Sequence, residues 1–264
     1  MNSRQLIYLR NMDIDVWQRR DLVHVSSTAQ AVDTSLPGMI PVTSAMERKL
    51  STVGPATDVP VNELGTAPSR ASQSLVTWFE VETAVRNCTQ CTLHSSRTQT
   101  VFGVGDRSAQ WMIIGEAPGA DEDRQGEPFV GRAGQLLNAM MLAIGLQREQ
   151  VFIANILKCR PPGNRDPKPE EVNCCMPYLQ RQIELVNPRI ILCVGRIAAQ
   201  NLLTTDTPIG KLRGSVHYLG AARRPVVVTY HPAYLLRSPS EKRKAWDDLR
   251  FAVRTFNSAE PAVV

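Results

Sequence analysis

The sequence predicts an α/β fold in which helices cover both faces of a mostly parallel sheet. From about residue 75 onwards, short apolar segments alternate with longer segments whose apolar residues recur at helical spacing. Parallel strands need such helical crossovers, and sheets of this kind are buried on both faces. Polar residues also follow three of the apolar segments, at the position where ligands bind in open α/β sheets.

Four apolar segments are predicted to be the strands of this sheet. The first leads directly into a turn of sequence Gly-Glu-Ala-Pro-Gly at residues 115–119. The second ends at Asn155, and the fourth runs into His231. The predicted strands are residues 110–114, 151–155, 189–194 and 226–230.

Five segments have the apolar spacing of helices. In the second of them, Leu137, Met140, Met141 and Ile144 lie on one helical face. The predicted helices are residues 75–88, 134–144, 170–186, 195–203 and 239–256.

Composition restricts the class of protein without identifying it. Lys and Arg exceed Asp and Glu by five over 264 residues, a mild basicity that suits nucleic acid but also many other proteins. The N-terminal residues lack the pattern of a signal peptide, and the longest apolar run, residues 190–194, is far shorter than the ~20 residues of a membrane span. We therefore expect a cytoplasmic protein with no membrane partner, whose cysteines are metal ligands, reactive thiols or core residues.

The first third of the chain differs from the remainder. Residues 24–74 are rich in Ser, Thr, Pro, Val and Ala without periodicity, so we expect a flexible linker. Residues 1–23 contain a short apolar segment, which is either a docking peptide for a protein partner or a helix that folds back on its own chain. Residues 75–257 are expected to form the functional domain.

Four cysteines have the spacing of a metal centre. Cys88 and Cys91 form a C-x2-C pair, and Cys159 and Cys175 follow with fifteen residues between them. Thiolates of this kind suit zinc or an iron–sulfur cluster, and the alternative is four buried, reduced thiols.

The neighbouring Cys174 is a less suitable ligand than Cys175. On the predicted helix, Cys175 shares an apolar face with Leu179 and Ile183, whereas Cys174 falls on another face. Cys193 lies inside a predicted strand and is expected to be a core residue.

Four ordered motifs resemble the family 4 uracil-DNA glycosylases. They are Gly-Glu-Ala-Pro-Gly at 115–119, Gly-Glu-Pro-Phe-Val-Gly-Arg-Ala-Gly at 126–134, Lys-Cys-Arg-Pro-Pro-Gly-Asn-Arg at 158–165 and His-Pro-Ala-Tyr-Leu-Leu-Arg at 231–237. The resemblance covers about residues 80 to 254. It implies a three-layer α/β/α sandwich with a central, mostly parallel four-stranded sheet, and a [4Fe–4S] cluster on Cys88, Cys91, Cys159 and Cys175. It also implies the hydrolytic release of uracil from DNA, which leaves an abasic site for base excision repair.

The resemblance assigns the recognition of a flipped-out uracil to Phe129 and Asn155. Phe129 would stack under the base, or else anchor its loop in the core. The amide of Asn155 would accept from uracil N3–H and donate to O4, or else cap a strand end. Cytosine presents the opposite hydrogen-bonding pattern, so this amide would reject it. Gly115 and Ala117 would border the same pocket.

For bond cleavage, the resemblance makes His231 the donor to uracil O2, helped by backbone N–H groups of the turn at Glu116 and Ala117. Ala117 stands where other branches of the superfamily carry Asp or Asn, so water activation falls to Glu116, Glu122 or Asp123. Glu116 lies nearest the turn and is either the base or a pocket-forming residue. The alternative for Glu122 and Asp123 is that they position the loop or cap the helix that follows.

No histidine occurs in residues 160–173, the insertion in which some superfamily relatives carry one that traps DNA covalently. We therefore expect a monofunctional enzyme that turns over without a covalent intermediate.

Two further segments are expected to contact DNA, with Leu235 or Leu236 filling the gap in the base stack. The alternative for both segments is an ordinary surface loop. The expected partner is uracil-containing DNA, single- or double-stranded, and the expected state is a monomer. The other functions considered are a damage-binding module without catalysis and a redox protein. The expected DNA-contacting residues are Arg160, Arg165, Leu235, Leu236 and Arg237.

Overall fold

The computed structural model describes residues 76–258. The expectations for a docking segment at residues 1–23 and a linker at residues 24–74 lie outside the described residues.

A six-stranded sheet lies at the centre of the structure. Its strands are β1 (Val104–Gly105), β2 (Trp111–Gly115), β3 (Val151–Asn155), β4 (Ile190–Val194), β5 (Val216–Leu219) and β6 (Arg224–Thr229). The order across the sheet is β1-β3-β2-β4-β6-β5. The four inner strands are parallel, and β1 and β5 are antiparallel edge strands.

The four predicted strands are therefore confirmed as the parallel centre, but the predicted count of four was too low by two. β1 has only two residues, and β5 is partly exposed along its whole length. Neither edge strand contains the continuous apolar run by which a buried strand is recognised.

Eight α-helices connect and cover the strands in the described part of the chain. They are α1 (Trp78–Arg86), α2 (Ala120–Gln125), α3 (Arg132–Ala143), α4 (Pro169–Val186), α5 (Arg196–Leu202), α6 (Ile209–Leu212), α7 (Pro232–Arg237) and α8 (Lys242–Ser258). The five predicted helices are α1, α3, α4, α5 and α8. A 3-10 turn, Pro239–Glu241, precedes α8 where the sequence predicted helix. None of the helices between residues 76 and 258 has the length and apolarity that a membrane crossing requires.

Alternate residues of the central strands enter two separate hydrophobic cores, as the two-residue repeat of a strand requires. Met112 and Ile114 of β2 lie in one core with residues of α4 and α5. Trp111 and Ile113 lie in the other core with residues of α3 and α8. The sheet is thus covered on both faces, which confirms the three-layer α/β/α arrangement.

The register of the parallel strands aligns the predicted polar residues at one edge. Gly115 of β2 pairs with Asn155 of β3, and Val194 of β4 pairs with Thr229 of β6. Glu116 and His231 follow the carboxyl ends of these strands closely. Residues far apart in the chain therefore meet at a single edge, where open α/β sheets bind their ligands.

Candidate active site

A cleft of about 760 Å³ opens at the carboxyl edge of the sheet. Its volume lies within the roughly 300–1,000 Å³ that small-molecule sites span. Of the residues predicted to act in the site, those that line the cleft are Glu116, Ala117, Glu122, Phe129, Asn155, Arg165, His231 and Arg237.

Asn155 offers an unused hydrogen-bond acceptor to the cleft. Its side chain is 1 % exposed, and its Oδ1 is one of the few buried side-chain atoms without a hydrogen-bond partner in residues 76–258. An unpaired buried acceptor costs about 1–3 kcal/mol, so it is kept only where something restores the hydrogen bond. A Cβ placed on Gly115 would lie 2.4 Å from this oxygen, so the glycine leaves the amide its space.

Phe129 is both a core residue and a wall of the cleft. Its side chain packs in the core that α3 and α8 share, and its ring centroid lies 5.7 Å from that of His231 at an interplanar angle of 31°. Its backbone has a φ of 55°, in the left-handed region that is unfavourable for a residue with a side chain. The two interpretations of Phe129, stacking platform and loop anchor, are therefore compatible.

His231 is held as a neutral hydrogen-bond donor. It caps α7, and its Nδ1 accepts from the backbone N–H of Ala233 at 3.1 Å. Burial, helped by the nearby Arg237, lowers the pKa of His231 to about 4. At neutral pH the imidazole is thus uncharged, and because Nδ1 accepts, its proton is on Nε2.

Glu116 has a strongly perturbed carboxyl group. Its pKa is raised to about 7, mainly by burial and also by the nearby Asp166, while Arg196 opposes both effects. Near neutral pH the carboxyl group therefore exchanges a proton readily, as a general base must.

The other two candidate carboxylates are occupied by backbone donors. Glu122 Oε2 accepts from Gly119 N–H at 3.1 Å, while its Oε1 accepts from Val130 N–H at 3.0 Å and Gly131 N–H at 3.1 Å. Both oxygens of Asp123, which is buried, accept from Thr98 N–H. These two side chains position loops, which favours Glu116 among the three.

The residues expected to contact DNA lie in different surroundings. Leu235 is 1 % exposed and packs in a hydrophobic core, which disfavours its predicted contact with DNA. Leu236 is 36 % exposed and is the leucine that can enter a base stack. The guanidinium of Arg165 donates to both oxygens of the buried Glu171, and Arg160 Nε donates to Asn164 Oδ1 at 2.8 Å. Arg160 is thus engaged within its own loop, and Arg165 is engaged with the first turn of α4.

Several cleft residues were not identified from the sequence, among them two tyrosines and an ion pair. Tyr230 and Tyr234 line the cleft with their ring centroids 5.1 Å apart. Arg196 and Asp166, which also line it, form an ion pair at 2.9 Å. Arg196 follows Gly195, directly after β4. The rule that polar residues at strand ends face the ligand would have identified it.

The predicted metal-ligand cysteines border a second, smaller cavity. Cys88, Cys91, Cys159 and Cys175 line it, and so does Cys174. Cys175 is buried, and burial raises its pKa to about 12. Within residues 76–258, no three His, Cys, Asp or Glu side chains are close enough to hold one metal ion.

Two cations lie beside these thiols. Arg97 donates to Cys159 Sγ at 3.1 Å. Lys158 is fully buried, and its Nζ donates to the backbone oxygen of Asn155 at 2.8 Å and to Gln182 Oε1 at 2.6 Å. Burial lowers the pKa of Lys158 to about 7, while Cys175 and Cys159 oppose that effect. The side chain of Lys158 thus connects the thiol cavity to the end of β3.

Comparison with known proteins identifies the family. The model of the uracil DNA glycosylase superfamily matches residues 102–250. The chain is 46 % identical over 172 residues to a type-4 uracil-DNA glycosylase of Archaeoglobus fulgidus, an alignment that covers 63 % of this chain and 86 % of that protein. Proteins with the same description from Saccharolobus solfataricus and Thermotoga maritima are 44 % and 43 % identical over 181 and 164 residues. Those alignments cover 66 % and 61 % of this chain and 84 % of each relative. The chain therefore belongs to the uracil-DNA glycosylase superfamily and, within it, to the type-4 uracil-DNA glycosylases.

Proposed function

We propose that this protein is a monofunctional uracil-DNA glycosylase, which hydrolyses the N-glycosidic bond of uracil in DNA and leaves an abasic site for base excision repair. The observation that carries the proposal is the buried, unpartnered Oδ1 of Asn155 in a cleft beside Phe129 and His231. The type-4 names of the relatives support the same activity.

A flipped uracil satisfies the amide of Asn155. Uracil N3–H donates to Oδ1, the side-chain NH₂ donates to O4, and the base stacks on Phe129. Cytosine has an acceptor at N3 and a donor at its exocyclic amine. With cytosine, the Oδ1 acceptor would therefore face another acceptor, and the side-chain NH₂ would face another donor. Buried polar groups left unpaired in this way give strong discrimination. Recognition and rejection thus depend on the same amide.

Bond cleavage needs stabilisation of the departing uracil anion. The neutral His231 donates its Nε2–H toward O2, where negative charge develops as the glycosidic bond breaks. A neutral donor of this kind stabilises the anion without transferring its proton. Glu116 in its ionised form orients the attacking water and faces the cationic sugar. Water then completes the hydrolysis directly, with no covalent enzyme intermediate.

Contacts with the DNA flanking the uracil are assigned to the segment after β6. Leu236 fills the gap that the flipped nucleotide leaves in the stack, and Arg237, beside the cleft, contacts a phosphate. Arg165, which lines the cleft, and Arg160, which donates to the cleft residue Asn164, add positive charge. The enzyme acts as a monomer on single- or double-stranded DNA.

We also propose that Cys88, Cys91, Cys159 and Cys175 hold a [4Fe–4S] cluster. The donor set fits: the four thiols line one cavity, and the side chains of Arg97, which donates to Cys159 Sγ, and of the buried Lys158 lie beside them. A bound cluster is structural, because it ties the segment of Cys88 and Cys91 to the loop after β3 and to α4. Iron and acid-labile sulfide analysis of the purified protein tests this, and zinc in their place would contradict it.

The activity is tested with a fluorescent oligonucleotide that contains one uracil, as a single strand and opposite G or A. After incubation and hot alkali, we expect strand scission at the uracil, and we expect His231→Ala to abolish most of it. Binding to uracil-DNA without scission would contradict the proposal and favour a damage-binding module.

A further inference from the structure

We propose that Arg148 is a positioning residue, which holds the Pro128–Phe129 backbone in the conformation that presents the Phe129 ring to the base. This inference rests on the proposed function, because it concerns the platform on which uracil stacks. Arg148 itself is not among the residues that line the cleft. Its hydrogen bonds to the Pro128 and Phe129 oxygens make the Phe129 backbone its direct connection to a bound base.

The backbone of Phe129 needs external support. A φ of 55° is in the left-handed region, which non-glycine residues adopt only where their surroundings impose it. The adjacent turn begins with Gly126, whose φ of 79° is ordinary for a glycine. Phe129 cannot be exchanged for glycine without losing the ring, so the strain remains and the neighbouring side chains must hold it.

Arg148 supplies that support from one side. Its guanidinium donates to the backbone oxygens of Pro128 and Phe129, and at 3.3 Å to Asn138 Oδ1. Asn138 belongs to α3, and Arg148 stands in the 3-10 turn before β3. One half-buried guanidinium therefore joins two consecutive carbonyl groups of the loop to α3 and to the 3-10 turn before β3.

Glu122 and Gly134 hold the same loop from other directions. Glu122 Oε1 accepts from the N–H groups that follow Phe129, at Val130 and Gly131. A Cβ on Gly134 would lie 1.8 Å from the Phe129 oxygen, so α3 is in close contact with that carbonyl group. The backbone around Phe129 is thus fixed in three ways: α3 is in contact with the Phe129 oxygen, Glu122 accepts from the two N–H groups that follow, and Arg148 donates one hydrogen bond to the Phe129 oxygen.

A lysine would not replace this arginine. The planar guanidinium can donate to several acceptors in fixed directions at once. An ammonium group on a flexible side chain keeps the charge but not this fixed arrangement of donors. Arg148→Lys therefore tests the geometry and Arg148→Met tests the whole contact. Arg189→Met, which removes an arginine that lies over the Phe256 ring at 4.4 Å, is the matched control outside the cleft.

The decisive measurement is a double-mutant cycle with Phe129→Ala, read as inhibition by free uracil and as kcat/KM on uracil-DNA. With Phe129 present, we expect Arg148→Met to raise the inhibition constant of uracil about tenfold, and Arg148→Lys to have a smaller effect of the same sign. In the Phe129→Ala background, the same substitutions should change it less than about twofold. Arg189→Met should leave it unchanged.

Equal effects in the two backgrounds would overturn the proposal, because Arg148 would then not act through Phe129. An unchanged inhibition constant in both Arg148 variants would overturn it too. If Arg148→Met does not fold, the cycle is read with Arg148→Lys. A wild-type protein that releases no uracil would refute the proposed function instead, and direct binding of uracil by calorimetry then still tests the coupling of Arg148 to Phe129.

Discussion

Replacement of Glu116 by glutamine separates the two roles that the cleft allows for this carboxyl group, water activation and shaping of the pocket. In the folded protein its pKa is about 7, compared with an ordinary value of 4.5, and burial is the main cause. A difference of that size corresponds to at most about 3 kcal/mol, because one pKa unit is about 1.4 kcal/mol.

The direction in which stability changes with pH follows from the raised pKa of Glu116. The folded protein binds the proton more tightly than the unfolded chain, so protonated Glu116 is tolerated and ionised Glu116 destabilises the fold. The stability that comes with protonated Glu116 is fully present below about pH 4.5 and is lost as the pH rises to about 7. Glutamine does not ionise, so Glu116→Gln does not lose this stability. The free energy of unfolding of the variant, relative to that of the wild type, should therefore grow by up to about 3 kcal/mol between about pH 4.5 and pH 7.

Urea denaturation at pH 5 and pH 8 measures the difference in the free energy of unfolding. Glu149→Gln, at an exposed position, is the control and should show no such growth with pH. A difference between Glu116→Gln and wild type that is independent of pH would refute the inferred burial of the charge.

The same variant tests the chemistry. If the carboxylate orients water, the rate of uracil release in the wild type should rise with pH through about 7 and then level off. Glu116→Gln should then be slower by about 10²-fold or more at pH 8. A variant as fast as the wild type at pH 8 would refute water activation and leave Glu116 a pocket-forming residue.

Three further outcomes follow from the site. Asn155→Asp places a charge where uracil O4 needs a donor, so kcat/KM on uracil-DNA should fall by about 10²-fold or more; an unchanged value would exclude the amide contact. The pKa of His231 is about 4, so its imidazole NMR signals should not titrate between pH 6 and 8, and a midpoint in that range would contradict the neutral donor. Leu236→Ala should weaken binding to duplex DNA without altering stability, whereas the buried Leu235→Ala should lose about 2–5 kcal/mol of stability. The reverse pattern, measured by DNA titration and urea denaturation, would exchange the roles of the two leucines.

The centre of the fold could be predicted because its signals are local and strong. Each inner strand is a continuous buried run, and the alternation with helices implies parallel pairing, which brings Glu116, Asn155 and His231 to one edge. The edge strands could not be predicted, because β1 has two residues and β5 owes its conformation to pairing with β6. Their existence depends on neighbours that are distant in sequence.

Roles that depend on three-dimensional contacts were also beyond the sequence. Glu122 accepts from N–H groups eight and nine residues away, and no local pattern indicates that bond. The choice between Leu235 and Leu236 depends on how α7 is turned, and a helix of six residues has no periodicity from which to read its buried face. Cys175 could be preferred over Cys174, because α4 is long enough to define an inner face; the ligand set itself stays a prediction.

The closeness of Gly115 to its neighbours limits how the enzyme can be changed. Any side chain at this position would enter the space held by Asn155 Oδ1 and by the Phe129 ring, whose Cζ would lie 2.5 Å from the new Cβ. Enlarging residue 115 therefore removes base recognition and the stacking platform together. We therefore expect a change of base preference to be tolerated at Asn155 or at the turn that carries Ala117, and not at residue 115.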